Sequence, residues 1–188
     1  MKSIKTILAV CLMVMASAVY AQADAWKGVR VGYNSFDCGG DGSDAVMALT
    51  AGYVHSFAIT ENLPLFVEVG GELLWVNGDV YDDVKLKMWS LQVPVSIGYK
   101  WAINDDWSIY PNVGVYFRGN LSGKIGDLDI FDEEEVGEEW ERFNYGLHVG
   151  TTANYKNFNL GVKYGLDLNE IAEDCKGKMW TITLGYNF

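Results

Sequence analysis

The sequence predicts an all-β fold, an eight-stranded antiparallel up-and-down transmembrane β-barrel. Three observations predict it: apolar residues alternate with period two, the connections alternate between short and long, and the apolar face carries aromatic residues near both strand ends. The chain has 188 residues, of which 21 are Gly and only 3 are Pro. A chain of this length is expected to form one domain.

The first 21 residues have the pattern of a secretory signal peptide. Lys2 and Lys5 form a basic start, an apolar run follows over 7–16, and small residues lead to a cleavage position after Ala21. The run is shorter than the roughly 20 residues that cross a bilayer as a helix. We therefore expect export, removal of residues 1–21, and a barrel domain formed by residues 22–188.

Eight segments after the signal show the alternation that is typical of β-strands, and no convincing stretch has the period of a helix. In the last segment, Trp180, Ile182 and Leu184 share one face, whereas Thr181 and Thr183 share the other. The apolar series of the eight strands span 29–33, 49–59, 65–75, 89–101, 109–117, 143–155, 158–168 and 180–188.

The predicted connections alternate strictly between two lengths. The short ones span 60–64, 102–106 and 156–157, and the longer ones span 37–45, 77–85, 119–142 and 169–177. An even number of strands then puts both termini on the short-turn side, as in barrels of the outer membrane.

The composition of the two faces indicates which one points outward. The polar face consists mostly of Gly, Thr, Asn and Ser, which suits a crowded lumen, whereas the apolar face carries two aromatic girdles. The girdle residues are Tyr99, Trp101, Tyr155, Phe158, Tyr186 and Phe188 near the short turns, and Tyr33, Trp75, Trp89, Phe143 and Trp180 near the long loops. The alternative is a soluble lipocalin-like binding barrel, in which the apolar residues would fill the interior.

Charged and titratable side chains on the polar face predict a polar network in the lumen. Its members are Arg30, Glu68, Glu72, Arg118, His148, Lys163 and Asp167. Buried charges need partners, so we expect ion pairs that plug a barrel whose interior is only wide enough for side chains. A loose and hydrated set of charges is the alternative.

Four segments, at 90–100, 143–150, 158–166 and 183–188, resemble the PorT-like outer-membrane β-barrel family of Bacteroidota. They read SLQVPVSIGYK, FNYGLHVG, FNLGVKYGL and TLGYNF. The resemblance covers nearly all of the mature chain and implies an eight-stranded barrel of the OmpA and OmpX type. It also implies that Tyr186 and Phe188 form the signal read by the barrel-assembly machinery. The family has no single agreed activity, so the resemblance implies fold and location but no chemistry.

Two cysteines remain after removal of the signal, Cys38 in the first long loop and Cys175 in the last. Closure of the barrel pairs the last strand with the first, which brings these loops side by side. Export favours oxidation, so we expect a disulfide between Cys38 and Cys175. Two free thiols or an intermolecular bridge are the alternatives.

Catalytic, metal and cofactor sites are not predicted. The chain has only two His, G-x-S-x-G and H-E-x-x-H are absent, and neither His falls in a long loop. His148 is expected to fill the lumen, whereas His55 falls on the outward face, which suggests an error in the predicted register. Residues 37–44 begin like a calcium loop, but Gly39 and Ala48 replace two of its ligands.

The charge of the chain bears on its partners. A net charge of −11 argues against binding to nucleic acid. Nine of the fifteen residues in 127–141 are acidic; such a run is usually solvated, and outside the cell it would attract a basic ligand or cations that bridge lipopolysaccharide.

These observations predict a protein of the Gram-negative outer membrane that is exported through the periplasm and is not an enzyme. It would have a structural or surface-binding role through its external loops. Expected partners are outer-membrane lipid, the barrel-assembly machinery and an extracellular or envelope protein. A porin-like pore for small ions and a membrane-embedded enzyme acting on envelope lipids are the alternatives.

Overall fold

The computed structural model describes residues 26–37, 45–60, 62–81, 84–132, 140–171 and 175–188. These residues form ten β-strands. In chain order they are β1 (Lys27–Asp37), β2 (Val46–Ala58), β3 (Leu65–Tyr81), β4 (Val84–Tyr99), β5 (Trp101–Ala102), β6 (Trp107–Ile125), β7 (Leu128–Asp129), β8 (Phe143–Tyr155), β9 (Phe158–Asp167) and β10 (Lys178–Asn187). No helix among the described residues is long and apolar enough to cross a membrane.

The eight long strands form a closed antiparallel ring. Each pairs with its neighbour in the chain, β10 pairs with β1, and β4 pairs with β6, so no long strand is left at an edge. The two-residue strands β5 and β7 only extend the pairing at the two ends of β6. The predicted fold class, an eight-stranded antiparallel up-and-down barrel, is confirmed.

The period-two alternation places large apolar side chains on the outside of the ring. In β10, Trp180, Ile182 and Leu184 are more than half exposed, whereas Met179 and Thr181 are buried. Both predicted girdles lie outward; within them Trp75 and Trp89 stack on adjacent strands with centroids 6.0 Å apart. This arrangement is the opposite of that expected for a soluble barrel.

The connections differ from the prediction at one end of the barrel. The turns at 60–64 and 156–157 separate the strands as predicted, and we call this end of the barrel, which also holds the first and last described residues, the turn end. We call the opposite end of the barrel the loop end. There the predicted loop 77–85 is wrong, because β3 continues to Tyr81 and β4 begins at Val84. Likewise, the predicted loop 119–142 begins too early, because β6 continues to Ile125. These strands therefore extend the barrel wall beyond the girdle at the loop end.

Candidate functional site

The first ion pair of the lumen joins Arg30 of β1 to Glu68 of β3. Two parallel hydrogen bonds connect the groups, from Nη1 to Oε1 at 2.7 Å and from Nη2 to Oε2 at 2.8 Å. Ser56 Oγ and Trp26 Nε1 also donate to Glu68 Oε2, at 3.1 and 3.3 Å. This carboxylate therefore binds a bidentate guanidinium and two neutral donors, as a buried charge requires.

The second ion pair crosses the barrel. Lys163 of β9 and Glu72 of β3 lie on opposite strands of the ring of eight, and the lysine Nζ is 3.2 Å from Glu72 Oε1. Gln92 Nε2 donates to Glu72 Oε2 at 3.1 Å. This pair therefore connects opposite walls of the lumen.

A small cavity lies between these two pairs. Its volume is about 30 Å³, and its lining includes Arg30, Glu68, Glu72, His148 and Lys163. A cavity of this size holds about two water molecules.

The third ion pair lies closer to the loop end and is almost completely buried. Arg118 of β6 binds Asp167 of β9, and the hydroxyl of Tyr116 donates to the same carboxylate. The guanidinium also lies over the ring of Phe36, 5.5 Å from its centroid. Gly146 makes room for the Tyr116 ring, because a Cβ at this position would collide with it.

Both histidines occupy positions that the period-two pattern indicates. His148 is buried in the lumen, with its ring 6.3 Å from that of Tyr116, and its Nδ1 has no hydrogen-bond partner among the described residues. His55 faces outward and stacks on Phe57 at 4.2 Å, beside the turn-end girdle. The predicted register at His55 is therefore correct, and the suspected error was wrong. The imidazole packs on the outer surface as an aromatic ring against Phe57.

An apolar cluster fills the lumen at the loop end, and the alternation of the strands did not predict it. It lies on the inward face, above the ion pairs, and the side chains of Trp140, Phe131, Ile125 and Cys175 pack against it. Its buried members are Phe36, Val46, Ala48, Leu74, Val76, Leu86, Met88, Ile130, Ile171 and Met179. The available signal was a change of pattern, since 73–76 and 86–89 carry large apolar side chains on both faces.

A second apolar cluster fills the lumen at the turn end. Ala58, Phe66 and Tyr110 form its buried part, and Trp26 packs against them with its ring 4.7 Å from that of Phe66. Lys100 lies over the Trp26 ring, 5.2 Å from its centroid. The lumen thus has three layers, a polar one between two apolar ones.

The C-terminal residues predicted as the assembly signal lie on the outer surface. Tyr186 packs edge to face with Phe158 at 5.3 Å, and Phe188 is 65% exposed. The backbone N–H of Phe188 donates to the carbonyl of Lys27 at 2.8 Å. Both rings therefore belong to the girdle at the turn end.

Several predicted features fall wholly or partly outside the described residues: the signal peptide 1–21, Cys38 with the loop 38–44, and the acidic stretch 133–139. Cys175 is half-buried beside the apolar cluster at the loop end. The pairing of Cys38 with Cys175 stays a prediction. In the part of the chain that the structure describes, no three His, Cys, Asp or Glu side chains form a metal site.

Comparisons with known proteins give the same architecture. The family described as outer membrane protein beta-barrel domain matches residues 7–188. The outer membrane enzyme PagL aligns with a TM-score of 0.58 at 13% identity, over 85% of this chain and 98% of PagL. Neisserial surface protein A aligns with a TM-score of 0.55 at 10% identity, over 87% of this chain and 97% of that protein. These low identities show a shared fold alone. No curated protein matches the chain in sequence.

Proposed function

Because the chain belongs to the outer membrane protein β-barrel domain family, we propose that it is a closed barrel of the Gram-negative outer membrane. Its role is structural or surface-binding, carried by the external loops, and it does not pass solutes. The observation that carries this proposal is the three-layered lumen, in which ion pairs fill the centre and apolar clusters close both ends.

The packing of the lumen supports a closed barrel over the alternative of a small-ion pore. Lys163 and Glu72 link opposite walls at the centre, and Trp26 covers the turn end. An ion crossing this lumen would have to displace bonded charges and pass two apolar layers. Each of these steps is costly, because separating a buried pair leaves a charge without its partner.

The positions of the histidines support a non-enzymatic role. The chain contains two histidines. His148 is buried in the lumen, and His55 stacks on Phe57 on the outer surface of the barrel. Neither imidazole is therefore available at the loop end to act as a base on a lipid headgroup. Incubation of the purified protein with lipopolysaccharide should release no fatty acid, whereas release would favour the enzyme alternative.

The sequence also supports a more specific family, location and route of assembly. A PorT-like barrel of Bacteroidota is supported by the segments 90–100, 143–150, 158–166 and 183–188. The N-terminal pattern supports export through the periplasm, and the exposed Phe188 suits delivery to the barrel-assembly machinery.

Planar-bilayer recording tests the closed state. Protein that shows the migration shift of a folded barrel on heating should add no steady conductance to the bilayer. A stable current through such protein would contradict the closed state.

A complementation experiment separates the structural role from the surface-binding role. A strain lacking the protein should become sensitive to detergent, and the full chain should restore resistance. A variant with 133–139 replaced by Gly and Ser should restore resistance if the role is structural and fail if the loop binds a partner. Unchanged resistance of the deletion strain would overturn the proposal.

A further inference from the structure

Two lysines lie directly opposite each other on the outer surface of the barrel wall. Lys87 of β4 and Lys124 of β6 are register partners, and both are exposed. Like charges that face each other across two strands destabilise a sheet. An anion bound between the ammonium groups would remove this repulsion.

Neighbouring carboxylates offset this charge only in part. Within the described ranges, no carboxylate oxygen lies within 4.0 Å of either ammonium. In the register, the row reads Asn77, Lys87, Lys124 and Asp129, so its net charge is +1. By contrast, Lys178 at the same end of the barrel lies opposite Asp37.

A broad apolar groove lies one outward-facing row below Lys87. Its volume is about 620 Å³, and it extends from β10 across β1, β2 and β3 to Trp89 of β4. Ala51 forms its floor, because this small side chain lies between Val31 and Leu73 in the register. The stacked rings of Trp75 and Trp89 form its edge towards the lysines.

The vertical order of these features matches that of an anionic lipid. Trp89 forms the edge of the groove. It lies two residues from Lys87, a distance of about 7 Å along a strand. Aromatic girdles lie at the level of the headgroups, so the lysines lie where lipid phosphates are found. The groove below them lies where acyl chains are found.

We infer that this face binds a phosphorylated, multiply acylated glycolipid of the outer leaflet. A phosphate of the glycolipid bridges Lys87 and Lys124, and its acyl chains occupy the groove over Ala51. The width of the groove, which spans five strands, suits several chains better than one. This inference does not depend on whether the barrel conducts.

Titration of the purified, detergent-solubilised protein with three lipid probes tests the headgroup site. The probes are bisphosphorylated lipid A, the same lipid without its phosphates, and phosphatidylglycerol, with bound lipid counted by native mass spectrometry. Wild type should bind the first probe about tenfold more tightly than the other two, since hydrogen bonds to charged groups are worth that much. Equal binding of all three would overturn the inference, and equal binding of the two phosphate-containing probes would assign the site to phospholipid instead.

Two matched pairs of variants locate the site. Lys87→Ala with Lys124→Ala should lose the preference for lipid A, whereas Lys178→Ala should keep it. Ala51→Leu should fill the groove and weaken lipid A binding, whereas Ala153→Leu, which enlarges a small side chain on β8 away from the groove, should not. The heat-induced migration shift confirms folding of each variant. Wild-type affinity in the double lysine variant would contradict the site even if Ala51→Leu failed to fold.

Discussion

Arg30 and Glu68 form a bidentate ion pair inside the barrel, with both N–O distances below 3 Å. The two residues are on β1 and β3, so the pair bridges over β2, which contributes Ser56 to the same carboxylate. Three strands are thus joined through their side chains as well as through their backbones. Both side chains also line the central cavity.

Removal of one partner of this pair should be strongly destabilising. Glu68→Ala leaves the Arg30 guanidinium buried without its partner, which costs about 3 to 5 kcal/mol. Urea unfolding in lipid vesicles measures this loss. Asp106→Ala is the matched control, because it breaks the exposed pair with Lys156 at 3.8 Å and should cost less than about 1 kcal/mol. Similar losses for the two variants would show that the lumen is hydrated.

Arginine on the lipid face should destabilise the barrel according to its depth. Leu184 lies between the two girdle residues Trp180 and Tyr186 of β10, so Leu184→Arg should cost about 2 to 4 kcal/mol. Leu168 is exposed beyond the loop-end limit of β9, so Leu168→Arg should cost about 0 to 1 kcal/mol. Equal costs in vesicle unfolding would be incompatible with a membrane-spanning outer face.

Disruption of the central ion pair alone should not open the barrel. Glu72→Ala removes the partner of Lys163, but the apolar clusters at both ends remain in place. We therefore expect no added conductance in planar bilayers. The double variant Glu72→Ala/Trp26→Ala is compared with the single variant to test the contribution of the turn end, because it also removes the indole there. Current through the single variant would show that the ends do not seal the lumen.

The disulfide prediction can be tested by mass spectrometry of unreduced protein. Digestion should produce one peptide pair joined through Cys38 and Cys175, because the loops that carry them flank the pairing of β10 with β1. Cys38→Ser should abolish this pair without changing the heat-induced shift. Detection of two alkylated cysteine thiols, or of a dimer that dissociates on addition of reducing agent, would contradict the pairing.

The outward face was predictable residue by residue because its pattern is local. A strand sends alternate side chains to opposite faces, so Leu184 and Thr183 are separated by the backbone alone. The same rule placed His55 outward correctly, against the expectation that an imidazole does not belong there. It also placed Arg30, Glu72 and Lys163 in the lumen.

The pairing of charges within the lumen was not predictable in this way. Arg30 has two inward carboxylates on β3, Glu68 and Glu72, and it binds the first while Lys163 binds the second. This choice depends on the stagger between strands and on the curvature of the closed wall. The alternation of residues within one strand contains no information on the stagger or on the curvature.

The apolar cluster at the loop end shows why the alternation rule failed there. A polar lumen was expected along the whole barrel, so Val76 and Met88 were not recognised as inward residues of a packed core. Beyond the girdle at the loop end, loop residues such as Ile130 fold back into the mouth of the barrel and pack against the inward side chains. Such contacts join residues distant in sequence.

The sequence by itself determined the strands, their faces and the order in which they close, because each depends on backbone geometry and on neighbours along the chain. Only the tertiary structure decided which charges pair, how far the walls extend and what seals the two ends. Those features depend on which side chains from different strands meet across the lumen, and burial then favours only arrangements in which every charge has a partner.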